Sequence, residues 1–234
     1  MNEQDYYALW QQTVTATDPF TMAQQGGKVA VDPATIFIAG YQAAIRATFP
    51  ELGDQRWYSF AVSEDRSESS TRPGVTFDAG RITGFKTWIA AVNCVDALVV
   101  KVGSGNDAYY GVVASDDEAV HLTAKPNPGF LAPMSQGQAE FTGAQITPLQ
   151  DASGVKRFRH NEPFYIYIAF LACVSAQVQG LSEQAEAALA AQARTPDLAV
   201  LGEQAGLILT ELEKQQIGLG DNWETDQRLL TMYR

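Results

Sequence analysis

Hydrophobic and polar positions along this chain change their period twice. From residue 3 to 17 the apolar residues Tyr6, Tyr7, Leu9, Trp10 and Val14 recur at helical spacing, and Asp18-Pro19 stops the run. Gln24-Gln25-Gly26-Gly27 predicts a loop. Asp32-Pro33 supplies an N-cap and a proline at the first helical position, opening a helix to about Phe49. Ile36, Ala39, Gly40, Ala43, Ala44 and Ala47 make one face of that helix small, so another element can pack very close to it.

Between Arg56 and Ile146 the texture becomes that of a β-domain: short runs of Val, Ile, Phe, Tyr and Trp alternate with Gly, Pro, Asp and Ser clusters. Strands are predicted near 58–63, 74–78, 81–83, 86–92, 97–101, 109–114, 120–123 and 138–146. Asp78-Ala79-Gly80 and the segment from Ser104 to Asp107 read as hairpin turns, and Gly84 as a further tight turn. After Asp151 the helical period returns. Asn161-Glu162-Pro163 predicts a helix start, followed by a helix to about Gln179 that is apolar on nearly all sides. Ser182 opens an Ala-rich helix to Arg194. Thr195-Pro196 opens another to Ile217, broken by Gly218-Leu219-Gly220, and a last short helix runs through Tyr233. The predicted class is α+β, with three parts: a helical N-terminal segment (1–55), an antiparallel β-barrel or sandwich (56–150) and a short C-terminal helical bundle (151–234).

The charge narrows the function. A formal net charge of −11 argues against nucleic acid as the main partner, since phosphate binding relies on clustered Lys and Arg. The start, Met1-Asn2-Glu3-Gln4-Asp5, lacks the basic and apolar regions of a signal peptide, and the apolar run 164–178 is too short and too polar to span a bilayer. Cys94 and Cys173, the only cysteines, lie in apolar segments and read as buried reduced thiols. These readings together give the expectation of a cytoplasmic protein that does not contact a membrane.

Lys86-x-Trp88-Ile89-Ala90, followed by Asp96 to Val100, resembles the middle domain of the acyl-CoA dehydrogenase family, where "G-x-K-x-W-I-[ST]-N" leads into "A-D-x-x-V-V". Ala61-Val62-Ser63-Glu64 is similar to the family's "A-x-T-E-P" strand. The segment Glu140 to Pro148 is similar to the strand that leaves its barrel, and Asn222-Trp223-Glu224-Thr225-Asp226 more weakly resembles its terminal helix. The resemblance implies FAD as cofactor: Trp88 packs against the flavin ring, Ser63 contacts it, and Ile89 and Ala90 continue the ring-facing strand. It implies a substrate with an acyl thioester, dehydrogenated at its CH–CH bond. Ala90 stands where the family has a hydroxyl, and Glu64-Asp65-Arg66-Ser67-Glu68-Ser69-Ser70 lacks the proline, glycine and final aspartate of the family's turn. The segments that hold the FAD pyrophosphate and adenine, and the one that precedes the catalytic glutamate, have no counterpart. The expectation is a non-catalytic relative or partner subunit with a degenerate flavin site and no assigned catalytic residue. A flavin-dependent oxidoreductase is the alternative.

Other candidate chemistry reads as structural. Glu64–Asp65 and Glu211–Glu213 fit solvated faces, and Glu162 fits a helix start, where the dipole favours a carboxylate. His121, His160 and the two cysteines lack metal-ligand spacing. The apolar helix 164–178 and the small face of 36–47 have few helices to cover them. A homo-oligomer or a full-length acyl-CoA dehydrogenase is therefore the expected partner, with an acyl-type small molecule as ligand.

Overall fold

The computed structural model describes all residues except 66, 68, 69, 104–107, 127, 128, 151, 152 and 234. The chain divides into two compact units, 1–48 with 129–133 and 158–234, and 49–128 with 134–157.

Polar caps set the helix starts of the first unit. Asn2 accepts the Asp5 amide at 2.8 Å and starts α1 (Glu3–Thr13), which ends short of the predicted residue 17. Asp18 does the same for α2 (Pro19–Val29) through the Thr21 amide at 2.8 Å. Asp32 holds both the amide and the hydroxyl of Thr35 at the start of α3 (Pro33–Thr48). The predicted loop over residues 24–27 is thus a helix. Its glycines are there for contact: a Cβ on Gly27 would come within 2.3 Å of the Ala169 carbonyl oxygen. A Cβ on Gly40 would lie 2.4 Å from Ile166 Cα, so the small face of α3 is filled by backbone, as its composition predicts.

That backbone belongs to α4 (Gly154–Gln177), which runs through Asn161-Glu162-Pro163 instead of starting there. Proline lacks an N–H, so it removes one ladder bond, and the helix continues around it. Every residue from Ile166 to Val174 is fully buried within the chain. No neighbouring subunit is needed to cover this helix, and that argument for an oligomer lapses. α5 (Ser182–Arg194) follows a 3-10 turn, and α6 (Leu198–Lys214) starts at Asp197, whose carboxylate accepts the Ala199 and Val200 amides. α7 (Trp223–Asp226) passes into a 3-10 turn, Gln227–Leu230, and Asp226 accepts the Leu131 amide at 2.8 Å.

The second unit holds two four-stranded sheets. One is ordered β1 (Tyr58–Ala61), β4 (Ala97–Val102), β5 (Tyr109–Ala114), β8 (Thr147–Pro148). The other is ordered β2 (Thr76–Asp78), β3 (Arg81–Ala90), β7 (Gln136–Gln145), β6 (Val120–Ala124). Neither sheet closes, so the barrel reading gives way to the sandwich. Ile82, Ile89, Leu98, Val100, Val113, Ala139 and Phe141, drawn from both sheets, share one core with Val75, which precedes β2. All pairs are antiparallel except β1 with β4, which run parallel from Tyr58↔Ala97 to Ala61↔Val100. Asp96 fixes that exception: its carboxylate accepts the Trp57 amide at 2.6 Å while its own amide donates to the Trp57 carbonyl. The turn at Ala79 and Gly80 forms with both residues at positive φ. The hairpin expected at 104–107 lies outside the described residues.

No turn forms at Gly84. β3 is continuous, and Gly84 sits inside it at φ +128°. A Cβ there would stand 2.5 Å from the Gly74 carbonyl oxygen, so the glycine admits a crossing backbone rather than reversing the chain.

Candidate functional site

β3 carries the sequence-predicted site. Its register against β7 slips between Lys86 and Ile89, a bulge that breaks the strict alternation of faces. Trp88, half-buried, donates from Nε1 to Gln136 Oε1 at 3.3 Å. The Thr87 amide donates to the Ser63 carbonyl at 2.9 Å, which brings the exposed Ser63 beside the tryptophan's strand. Lys125 closes the same edge, donating from Nζ to the Thr87 carbonyl at 3.1 Å and from its amide to the Gln136 carbonyl at 2.7 Å. The structure therefore gathers Trp88 and Ser63. Ile89 is fully buried in the sandwich core, and Ala90 is buried with its amide donating to Ser59 Oγ at 2.9 Å.

Sequence reasoning missed the ion pair beneath this edge. Lys86 Nζ lies 2.5 Å from Glu64 Oε1, with side-chain exposures of 1% and 14%. The same oxygen accepts the Val75 amide at 3.1 Å, and Lys86 also reaches the Val62 carbonyl at 3.4 Å. A lysine inside a strand of apolar residues was the available signal, since a buried ammonium requires a counter-charge. Asp65 instead accepts the Ser67 amide at the surface, and Glu211 pairs with Lys214 at 2.7 Å on the exposed side of α6.

The helical unit holds a different carboxylate. Glu162 lies well inside α4, not at a helix start, and burial lifts its pKa from the usual 4.5 to about 7. Burial pushes Tyr233 upward too, with the Glu162 charge as the next cause. Cys173 is buried, its thiol donating to the Ala30 carbonyl at 3.3 Å and pushed by burial to about 12, whereas Cys94 is only half-buried. Among the described residues no three His, Cys, Asp or Glu side chains gather as a metal site, and no helix is long and apolar enough to cross a membrane.

No protein-family model and no curated protein sequence matches the chain. Solved structures do. An FAD-dependent dehydrogenase aligns over 92% of this chain and 84% of its own at 12% identity, with a TM-score of 0.59. The prolyl acyl carrier protein oxidase AnaB aligns over 87% and 72% at 11% identity, TM-score 0.58. The butyryl-CoA dehydrogenase of Megasphaera elsdenii aligns over 88% and 72% at 10% identity, TM-score 0.57. The fold is that of the acyl-CoA dehydrogenases. At these identities the likeness is one of backbone, and the side chains of this acyl-CoA dehydrogenase-fold chain speak for themselves. Ala90 offers no hydroxyl, and its amide already has an acceptor.

Proposed function

We propose that this chain is a non-catalytic acyl-CoA dehydrogenase-fold subunit with a degenerate flavin site, reduced to the Trp88–Ser63 edge. The observation that carries this reading is Ala90. Its side chain cannot hydrogen-bond, and its N–H is committed to Ser59 Oγ at 2.9 Å. The strand beside Trp88 thus presents a ring-sized aromatic surface without the polar contacts that would orient a ring on it. FAD also carries two phosphates, which need fixed donors or cations. Among the described residues Lys125 donates from this edge to the Thr87 carbonyl, and the Lys86 cation is paired with Glu64. As a subunit the protein would pair with further copies of itself or with a full-length acyl-CoA dehydrogenase, and an acyl-type molecule is the ligand this reading allows.

One observation favours the second reading, an FAD-dependent oxidoreductase acting on the CH–CH bond of an acyl-CoA. Burial lifts the Glu162 carboxyl to about 7, the range in which a general base works.

Absorbance and melting separate the two. The purified protein is expected to be colourless, with a melting temperature moved by less than a degree in saturating FAD. A ligand at a hundred times its dissociation constant would add about 2.7 kcal/mol. A yellow preparation, or a shift of several degrees, would move the assignment to the oxidoreductase.

A further inference from the structure

The helical unit carries a cavity of about 910 Å³ along one side of α6. That is the size of a site for a small organic ligand. Leu198, Ala199, Gly202, Gly206 and Leu207 make its wall largely apolar. Gly202 leaves real room: a Cβ there would meet nothing closer than Tyr167 Cε2 at 3.7 Å. Tyr167 and Tyr233 stand together on the wall, ring centroids 6.5 Å apart and planes at 84°. The Tyr167 hydroxyl donates to the Leu230 carbonyl at 3.3 Å, which ties the segment carrying Tyr233 to α4.

Among the described residues the charge on this wall has one sign. Glu203 is the charged residue on its wall among those described. Among the described residues no Lys, Arg or His lines it. The chain as a whole is acidic, with a formal net charge of −11, so its field draws cations. Aromatic faces attract an ammonium group through the ring quadrupole, most strongly when water is excluded.

We propose that this cavity binds a cationic amphiphile, an alkyl chain ending in an ammonium group. The chain lies along the Gly202–Gly206 side of α6, and the ammonium sits against Glu203 and Tyr233, whose ring the buried Tyr167 holds from behind. A neutral chain of the same length would gain only the apolar wall. An anionic head would face the Glu203 carboxylate, and no Lys, Arg or His among the described residues lines the wall to offset it. The site belongs to the helical unit, shares no residue with the Trp88 edge, and does not depend on whether flavin is bound.

Calorimetric titration of the full chain with three eight-carbon probes, below their aggregation concentrations, tests this. Octyltrimethylammonium is expected to bind at least about tenfold tighter than octanol, with octanoate weakest. Glu203→Gln, at an exposed position, should bring the ammonium preference to about threefold or less without lowering the melting temperature. Tyr233→Leu should reduce the preference further. Gly202→Leu should weaken all three probes by filling the wall. Equal affinity for the three probes would reduce the cavity to a greasy surface and overturn the proposal. So would the absence of octyltrimethylammonium binding, or a preference untouched by both Glu203→Gln and Tyr233→Leu.

Discussion

In the β unit the partly buried Glu64 meets a fully buried cation, Lys86, at 2.5 Å; in the helical unit Glu162 is half-buried, and the loss of water around it raises it to about 7. The two units solve one problem by opposite means. The sandwich keeps both charges and joins them, which also pins the segment around Val75 to β1 and β3 through the shared Glu64 oxygen. The helical unit lets its carboxylate give up the charge, since a neutral acid is cheaper to bury than an unpaired anion. Glu162 therefore makes the helical unit sensitive to pH near neutrality, and the Lys86–Glu64 pair makes the β unit sensitive to mutation of a charge.

Breaking the pair should have the larger effect. Lys86→Met leaves a partly buried Glu64 anion without its cation, and chemical denaturation should record a loss of about 3 kcal/mol. Adding Glu64→Gln should recover more than half of it. A single variant costing under about 1 kcal/mol would show that the β unit does not rely on the pair.

Glu162 sharpens the other side. Its folded pKa lies above the usual 4.5, so the folded protein holds this proton more tightly than the unfolded chain. The stabilisation is complete below about 4.5 and is lost as the pH rises through about 7. By pH 8 the cost of the buried anion is on the order of 3 kcal/mol. Glu162→Gln should therefore match the parent near pH 4 and exceed it at pH 8. Melting curves across that range check it, and parallel curves would place the carboxylate in water.

The smallest effect separates two glycines of the helical unit. Gly40→Ala drives a methyl into the Ile166 backbone and should cost about 2 kcal/mol. Gly202→Ala meets only open space and an ordinary contact, so it should stabilise α6 by up to about 1 kcal/mol. Equal losses at both would mean that the wall of the cavity is already filled.

The sequence made the helix–sheet–helix order readable because each period is local: β5, β6 and α5 lie within about two residues of expectation. Glycine and proline misled. Gly26-Gly27, Gly84 and Pro163 are chain breakers by local preference, yet each stands inside a regular element. At Gly27 and Gly84 a backbone distant in sequence comes too close for any side chain, and that contact is invisible locally. The site followed the same rule. Trp88 and Ser63 were legible as single residues in strand motifs. The Lys86–Glu64 pair spans 22 positions, and the cavity on α6 depends on Tyr233 returning to Tyr167, 66 positions away.

The division into interleaved units also sets an order of events during synthesis. α1, α2 and α3 emerge first, but the Gly27 and Gly40 contacts wait for Ala169 and Ile166 on α4, roughly 130 residues later. At ordinary translation speed that interval is on the order of ten seconds. Throughout it α3, nearly every residue of which is buried in the finished protein, has α2 but not α4 to pack on, while the sandwich between them can already close. The nascent chain thus displays a sticky helix beside a finished sheet domain, the kind of intermediate that a ribosome-associated chaperone shields.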